Sequence, residues 1–495
     1  MLFNSLNFML FYPIVLLVYY ILPAKVRYVW LLAASYYFYM GWNPKYALLI
    51  ALSTLITYLS GLWIEKRSHN HRMQKVILVS NLAANLGILF FFKYFDFALE
   101  NINMVRSRLG AGLIDRSFDV VLPVGISFYT FQALSYTMDV YKGTIRAERN
   151  VLKYALFVSF FPQLVAGPIE RSESLLHQIK GLATMKGFDY GKMVDGVILI
   201  LWGLFQKMVI ADRAAILVDT VYDSYWLYGS VELILASILF AVQIYCDFGS
   251  YSIIAVGTAK ILGIELMENF NTPYFAQSIK GFWRRWHISL SSWFRDYVYI
   301  PLGGGYGRSV IKCRNLMITF LLSGLWHGAS WNYVIWGGIH GLYQIVGNLT
   351  IPYRRNIKER FAVKGNSISY KMGKAAVTFV LVDFAWIFFR ADSLSDAKGI
   401  VEGIFTRWNP WKLFDQSVYH LGLDVREIHI LTAAVVLLFL VDLIRYGKDQ
   451  MIHCFLQEQC IWFRWGMMFV LFFSILIFGA YGPAFDVKQF IYFQF

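Results

Sequence analysis

Two histidines occupy an apolar stretch of the chain, where a titratable side chain is unexpected. The stretch, residues 323–341, reads SGLWHGASWNYVIWGGIHG and holds His327, His340 and five glycines. A neutral imidazole can accept a proton from a hydroxyl group near physiological pH, and burial keeps it neutral. His327 is therefore the first candidate for a general base, whereas His340, thirteen positions further on, fits a structural role.

A third histidine lies where aromatic residues follow helical spacing. The segment SIKGFWRRWHISLSSWFRDYVYIPLGGGYG, residues 278–307, predicts one amphipathic helix in the membrane interface, with its tryptophans as anchors. On this helix His287 would lie on the polar face, where it could position a donor substrate or tune the pKa of a reacting group. Arg284 and Arg295 are candidates for binding donor phosphates, or lipid head groups instead.

Other polar side chains could support these histidines. A carbonyl group under attack develops negative charge on its oxygen, which N–H donors stabilise. Backbone amides, Asn332 or the indole of Trp326 could supply such donors and line a pocket. Asp247, four residues after Gln243 in an apolar run, marks either a donor-binding site or an internal ion pair. The chain has no HxxxH or HExxH spacing, so the sequence predicts no metal site.

The composition places these residues in a membrane protein. Of 495 residues, 58% are hydrophobic, 18% aromatic and only 15% charged, against roughly a quarter charged in soluble domains. Apolar runs recur near the length of about 20 residues that a spanning helix needs. We predict an all-α polytopic protein of about ten to eleven transmembrane helices plus re-entrant and interfacial helices, forming one domain over residues 1–495. The first run, residues 6–22, lacks the features of a cleaved signal and is expected to stay as a helix.

Basic and acidic residues collect in different connectors between the apolar runs. The net charge of +14 is concentrated in residues 66–75, 142–153, 280–314 and 354–374, while residues 212–232 and 392–424 carry relatively more acid. The positive-inside rule puts the basic connectors in the cytoplasm and the acidic ones outside. The positive charge therefore predicts topology and contact with lipid head groups, not nucleic-acid binding. The four scattered cysteines predict neither a disulfide framework nor a zinc site.

The apolar pieces around His327 are short. Residues 316–326 would reach only roughly 18 Å as a helix, against a hydrocarbon core of about 30 Å. The sequence therefore predicts a turn part-way through the bilayer, with Gly328 and Gly338 kept small for the turn and for close packing. A second broken piece, FVSFFPQLVAGPIER (residues 157–171), predicts another re-entrant segment, and the two breaks would meet to form a polar pocket or tunnel.

Five stretches together resemble the membrane-bound O-acyltransferase (MBOAT) family, in the branch of the bacterial alginate O-acetyltransferases. They are LPVGISFYTFQALSYTMDVYKG, FVSFFPQLVAGPIER, FWRRWHISLSSWFRDYVYIPLGG, LLSGLWHGASWNYVIWGGIHG and FIYFQF. The similarity extends over nearly the whole chain. It implies the MBOAT fold, a ring of membrane helices around a central funnel or tunnel. The family's invariant histidine maps onto His327, and its second histidine, in the WHxS motif, maps onto His287.

The resemblance also implies an activity. Such enzymes of the bacterial cell membrane move an acyl group, here expected to be acetyl, from a cytoplasmic thioester to hydroxyls of an exported cell-surface polysaccharide or to a partner protein. The expected donor is acetyl coenzyme A or a phosphopantetheine carrier such as an acyl carrier protein, with no bound cofactor. The expected partner is an SGNH-type, esterase-like protein outside the membrane. A donor entering from the cytoplasm would pass His287 first and reach His327 deeper in the membrane.

Alternative functions follow from the same features. A cousin branch of the family transfers D-alanine to teichoic acid. A transporter or flippase for a polymer or lipid is the alternative from another class, because transporters also have broken helices; no inverted repeat is visible, which disfavours it. A third alternative is a catalytically idle scaffold for an external partner. The sequence leaves the acceptor polymer open.

Overall fold

The protein is helical throughout its described residues. The computed structural model describes residues 1–115, 122–185, 187–361, 366–481, 490 and 491, and within them no strand occurs. The predicted all-α class is confirmed. The chain divides into two compact units, Met1–Val197 with Ala255–Met267, and Ile198–Ile254 with Glu268–Phe495. The assignment of residues 1–495 to one domain stays a prediction. Of the resembling FIYFQF motif, only Phe490 and Ile491 lie within the described residues.

The first unit is built from helices of the N-terminal half. They are α1 (Leu6–Ile21), α2 (Arg27–Met40), α3 (Pro44–Lys66), α4 (His71–Leu89), α5 (Phe95–Arg108), α6 (Ile126–Lys142), α7 (Val151–Ser159) and α8 (Ser172–Gly181). Buried polar side chains join α3, α4 and α6. Ser53 donates to Asn85 at 2.6 Å, and Asn81 donates to Thr137 at 2.9 Å. These four buried side chains thus satisfy one another, as an apolar setting favours.

The predicted break after residue 157 is present in the first unit. The chain leaves helical structure at Phe160 and regains it in α8, with every residue from 160 to 170 buried. Side chains satisfy the backbone there: Gln132 Nε2 donates to the Phe157 carbonyl at 2.6 Å, and Ser35 Oγ accepts from the Phe161 amide at 3.1 Å. This break belongs to the first unit and the His327 turn to the second, and their meeting stays a prediction.

The helices from residue 190 onward build most of the second unit. They are α9 (Tyr190–Phe205), α10 (Asp212–Tyr222), α11 (Ser230–Ile261), α12 (Ile279–Trp283), α13 (Ile288–Phe294), α14 (Ser309–His327), α15 (Trp331–Leu349), α16 (Ile351–Arg360), α17 (Ile368–Arg390), α18 (Leu394–Thr406), α19 (Val425–Lys448), α20 (Ile452–Gln457) and α21 (Ile461–Phe478). Two of them, α9 and α11, contribute residues to both units.

Helix length and composition make this a multi-pass membrane protein. Within the described residues, seven helices are long and apolar enough to cross a bilayer, and α1 is a shorter apolar helix. The seven are Pro44–Lys66, His71–Arg108, Tyr190–Tyr222, Ser230–Ile261, Ile368–Arg390, Val425–Lys448 and Ile461–Phe478. Two of these cross π-helical turns, at Phe90–Tyr94 and Gln206–Ala211. The predicted count of ten to eleven transmembrane helices stays a prediction.

The prediction of one amphipathic helix through His287 is wrong. Helix α12 ends at Trp283 and α13 begins at Ile288, with His287 between them at a left-handed φ of 43°. A distant residue satisfies the start of α13. The backbone carbonyl of Asn269 accepts from the Ile288 amide at 3.0 Å, and its side-chain oxygen accepts from the Ser289 amide at 3.2 Å.

The break changes the environment of His287. A continuous helix would have put this side chain on the solvated polar face. The left-handed residue redirects the chain, and His287 is 0% exposed. Histidine tolerates this backbone region better than most residues with a side chain.

Helices α14 and α15 form a tight hairpin around the second break. The helix before the turn has 19 residues, about 28 Å, because it begins at Ser309 and includes charged residues before the apolar piece. Close approach depends on glycines: a Cβ at Gly324 would overlap the Tyr333 carbonyl, and one at Gly337 would overlap the Phe320 carbonyl. A Cβ at Gly328 would overlap the Tyr333 ring, as predicted. The prediction for Gly338 is wrong, since a Cβ there would lie 3.5 Å from Leu321, an ordinary contact.

Candidate active site

His327 is the last residue of α14 and lies in a pocket of aromatic rings. Its side chain is buried, at 2% exposure. The ring of Trp336 meets it edge to face, with centroids 5.0 Å apart at 87°, and the Phe389 centroid lies at 5.5 Å. Trp326, the preceding residue, lies at 5.1 Å. Because these rings come from α14, α15 and α17, helix packing fixes where the imidazole stands.

The structure brings His287 to the same pocket. The two imidazole centroids are 6.2 Å apart, and the Trp326 ring lies 5.9 Å from that of His287, so one indole lines both. The Phe248 ring of α11 packs edge to face on His287 at 4.6 Å. The sequence predicted two separate sites, with His287 at the membrane interface and His327 deeper. The structure instead places both imidazoles in one cluster.

Burial sets the protonation state of His287. This residue lies outside the seven candidate spans. Desolvation disfavours the imidazolium and lowers the pKa of His287 to about 3. The imidazole is therefore neutral at physiological pH and binds a proton only weakly.

His340 ties two elements of the site together. The indole Nε1 of Trp283, on α12, donates to His340 Nδ1 at 3.3 Å, which leaves the ring proton on Nε2. The His340 ring is fully buried and lies 5.1 Å from the Trp336 ring. This bond joins the helix before His287 to the hairpin that carries His327, in agreement with the structural role expected for His340.

The two predicted pocket residues occupy different surroundings. Trp326 contacts both imidazoles, as described above. Asn332 is buried near the start of α15, and its side-chain amide donates to the Ala391 carbonyl at 2.6 Å. This bond fastens the hairpin to the end of α17. Oxyanion stabilisation by Asn332 stays a prediction, with one of its two amide hydrogens already engaged.

Asp247 is held in an ion cluster rather than among the imidazoles. Its carboxylate accepts from Lys207 Nζ at 2.5 Å and from the Ile491 backbone amide at 2.6 Å. Lys207 also contacts Asp212 at 2.9 Å and lies 4.3 Å above the Phe490 ring. The structure thus gives Asp247 the ion-pairing role that the sequence left open, and donor binding by it stays a prediction.

The two arginines predicted to bind the donor lie at the surface. Arg284 is exposed in the break between α12 and α13. Arg295 is exposed and forms a two-pronged contact with Asp296, at 2.7 and 3.2 Å. Both can meet phosphates of a donor or of lipids, and neither lies in the ring pocket. Their donor-binding role stays a prediction.

Sequence reasoning missed the rings that shape the pocket. Trp336, Phe389 and Phe248 pack directly on the two imidazoles. Trp336 had a readable signal, because it precedes His340 by one helical turn and so shares its face. Phe248 and Phe389 had none, since an aromatic residue in an apolar helix is the ordinary occupant of a core.

The arrangement suits proton transfer coupled to attack on a carbonyl. A neutral imidazole in this pocket can accept and return a proton, a second imidazole lies beside it, and the rings exclude bulk water. The pocket also contains donors: the indole Nε1 of Trp336 is fully buried and has no hydrogen-bond partner among the described residues. A buried donor of this kind can stabilise negative charge that develops on a bound carbonyl oxygen.

Comparison with known proteins covers these residues. The model of the family described as "MBOAT, membrane-bound O-acyltransferase family" matches residues 144–389. A protein of Pseudomonas aeruginosa named "Probable alginate O-acetylase AlgI" is 36% identical, over 86% of this chain and 79% of that protein. A "Peptidoglycan O-acetyltransferase" of Helicobacter pylori is 34% identical, over 82% of this chain and 80% of its own. A "Teichoic acid D-alanyltransferase" of Bacillus subtilis is 28% identical, over 48% and 61% respectively.

Proposed function

This chain belongs to the membrane-bound O-acyltransferase family, and we propose that it moves an acetyl group from a cytoplasmic thioester to hydroxyls of an exported cell-surface polysaccharide. The observation that carries the proposal is the pairing of His327 and His287 in one buried pocket, with ring centroids 6.2 Å apart. Both residues fall within the stretch that the family model matches.

In the proposed reaction His327 is the general base. Its neutral imidazole takes the proton of the acceptor hydroxyl as that oxygen attacks the thioester carbonyl. The carbonyl carbon gains a C–O bond, the C–S bond breaks, and the proton passes to the departing thiolate. Trp336 Nε1, which is buried without a partner among the described residues, would hold the oxyanion. General-base catalysis of this kind contributes about 10²- to 10⁴-fold to the rate.

His287 has a different proposed role. Its position against Trp326 and Phe248 leaves it in contact with the same pocket as His327. We assign it to positioning the thioester and setting the electrostatics around His327. The donor would be acetyl coenzyme A or an acetylated phosphopantetheine carrier, and Arg284 or Arg295 would meet its phosphates. An esterase-like protein outside the membrane would receive or relay the acetyl group.

The acetyl branch is favoured over D-alanyl transfer. The alginate and peptidoglycan O-acetylating relatives match more than four fifths of this chain, whereas the D-alanyltransferase matches 48%. A transporter has no need of two imidazoles arranged in a ring pocket, and membership of an acyltransferase family disfavours it.

Replacing the base tests the proposal. His327→Ala should lower acetyl transfer by at least about 100-fold, because the general base is lost, while expression and membrane insertion stay normal. Transfer is measured as radiolabelled acetyl moved from acetyl coenzyme A, or from an acetylated carrier protein, to glycan in membrane vesicles. His420→Ala, at an exposed histidine of the second unit, is the matched control and should keep full activity. Retention of a tenth of wild-type transfer in His327→Ala would remove His327 from the base role.

A further inference from the structure

A short non-helical segment of the second unit, residues 268–272, lies against the break between α12 and α13. Its backbone bonds to both sides of that break. The Asn271 amide donates to the Arg285 carbonyl at 2.9 Å, and the Asn269 carbonyl accepts from the Ile288 amide at 3.0 Å. These two bonds bracket the left-handed histidine of the break, so the segment determines where its imidazole lies.

The middle residue of the segment packs on the catalytic pocket. The buried Phe270 ring meets the rings of Trp286 and Phe248 edge to face, each at 4.9 Å. It also lies nearly parallel to the His287 ring, with centroids 6.5 Å apart. A shift of the segment would therefore move an aromatic wall of the pocket together with the imidazole.

One buried arginine near the end of α19 fastens this segment. The Arg445 guanidinium forms an ion pair with Glu268 and donates to the Phe270 carbonyl at 3.3 Å. A guanidinium presents several N–H donors in a fixed plane, so one side chain can hold a carboxylate and a carbonyl at once. The segment thus depends on α19 for its position.

The arginine is in turn held by a second buried pair. Asp442, one helical turn earlier on α19, contacts the guanidinium at 3.9 Å and accepts from the Tyr245 hydroxyl of α11 at 2.8 Å. The Tyr245 ring lies 6.0 Å from the Phe270 ring. Because buried groups that bond to one another rigidify their surroundings, Arg445 is a fixed point to which the segment is attached.

We propose that Arg445 is a positioning residue for His287, because it fixes the 268–272 segment and, through it, the imidazole that meets the thioester donor. The inference rests on the proposed function, since it concerns how the donor is held in the same transfer. Arg445 lies beyond residue 389, where the match to the family model ends. It acts through His287, so its loss should cost less donor affinity than the loss of the imidazole itself.

Steady-state kinetics of Arg445→Lys test the inference, with varied acetyl coenzyme A or acetylated carrier protein as donor. Lysine keeps the charge but not the planar set of donors, so it cannot hold Glu268 and the Phe270 carbonyl in the same geometry. We expect the donor KM to rise about fivefold with kcat within about twofold. Arg426→Lys, at an exposed arginine in the first turn of α19, is the matched control and should leave both constants unchanged.

A double variant shows whether the effect passes through the imidazole. In a His287→Asn background, Arg445→Lys should raise the donor KM by less than about twofold further, because residues that act through one another are not additive. Full, multiplying effects of the two substitutions would overturn the inference. Glu268→Gln removes one of the two contacts at a partly exposed residue. It should raise the donor KM about twofold, and it carries the same test if Arg445→Lys does not fold.

Chemical labelling tests the position of His287 without a transfer assay. Diethyl pyrocarbonate modifies accessible histidines, and mass spectrometry of the digested protein reports each site. We expect the buried His287 to react at least about fivefold faster in Arg445→Lys than in the wild type, because the break opens more often. The equally buried His340 is the internal control and should stay protected.

The outcomes separate this inference from the proposed function. Normal transfer by the wild type, with donor KM and His287 labelling unchanged in folded Arg445→Lys, would overturn the positioning role alone. Lower thermal stability of that variant with unchanged kinetics would show that the ion pair only stabilises the fold, which also overturns it. Absence of acetyl transfer by the wild type, with His287 still exposed by Arg445→Lys, would overturn the proposed function and leave the placement of the imidazole standing.

Discussion

Two buried polar clusters of the second unit begin at neighbouring residues of α11, yet their chemistry differs. Asp247 enters a cluster of charges, where Lys207 contacts both Asp247 and Asp212 within 3 Å. Phe248 packs on His287 at the edge of a cluster of imidazoles and aromatic rings. The first cluster pairs opposite full charges, and the second surrounds neutral titratable groups with apolar surface.

The difference indicates which cluster performs chemistry. Opposite charges at close range attract each other, so Lys207 and Asp247 hold one another in place. An imidazole among rings keeps its neutral form and can gain and lose a proton during a reaction. Asp247 also accepts a hydrogen bond from the Ile491 amide, so its cluster joins distant segments of the second unit. The histidines of the WHxS and LWHG motifs, His287 and His327, belong to the cluster of imidazoles and aromatic rings.

The largest expected effect separates the clusters by stability. Lys207→Met leaves Asp247 and Asp212 without their cation in a buried site, which should cost about 3–5 kcal/mol of folding free energy. Thermal unfolding of the protein in detergent measures it. Lys398→Met breaks an exposed pair with Glu402 and should cost less than about 1 kcal/mol.

A double variant sharpens this prediction. Lys207→Met with Asp247→Leu removes both charges and should recover much of the lost stability, because the desolvation cost disappears with them. A double variant that keeps the protein folded and abolishes acetyl transfer, with normal donor binding, would instead assign this ion cluster to the chemistry.

The second expected effect concerns the α14–α15 hairpin that carries His327. Gly337→Ala drives a Cβ into the Phe320 carbonyl and should destabilise the protein by about 1–3 kcal/mol, with loss of transfer, because α14 and α15 must separate. Gly338→Ala is the matched control on the next residue. It meets only Leu321 at 3.5 Å and should be neutral or stabilising, by up to about 1 kcal/mol, through helix propensity. Equal damage from both substitutions would contradict the close-approach argument.

The smallest expected effect distinguishes the two imidazoles. His287→Asn keeps a residue that tolerates the left-handed backbone while removing the ring. We expect the donor KM to rise about tenfold with kcat within about threefold, whereas His327→Ala should lower kcat with donor binding nearly preserved. Steady-state kinetics with varied acetyl coenzyme A measures the split.

A backbone control accompanies that variant. His287→Val should reduce the yield of folded protein, because a β-branched residue fits poorly at a φ of 43°. Unchanged donor KM in a folded His287→Asn protein would show that His287 does not position the donor.

Much of the site could be predicted from the sequence because its signals lie in short local motifs. The WHxS and LWHG motifs identified His287 and His327, and the short apolar piece with Gly328 predicted a break beside His327. The break near residue 160 was also readable from its prolines and glycine. The failures occurred where long-range contacts decide. The helix through His287 looked continuous because its spacing is helical, and Asn269, whose carbonyl and side chain satisfy the start of α13, is distant in sequence.

The sequence by itself determined the membrane class, the all-α fold, the family and the two histidines, because composition, hydrophobic length and motif are local properties of the chain. Only the tertiary structure decided that the two imidazoles share one pocket and that Asp247 belongs to an ion cluster. It also decided that the close approach of α14 and α15 requires Gly337 rather than Gly338. The ion pair of Arg445 with Glu268 likewise joins α19 to a segment that no spacing connects to it. These features depend on which helix faces pack together. That packing is determined by many contacts between distant segments, which no local pattern records.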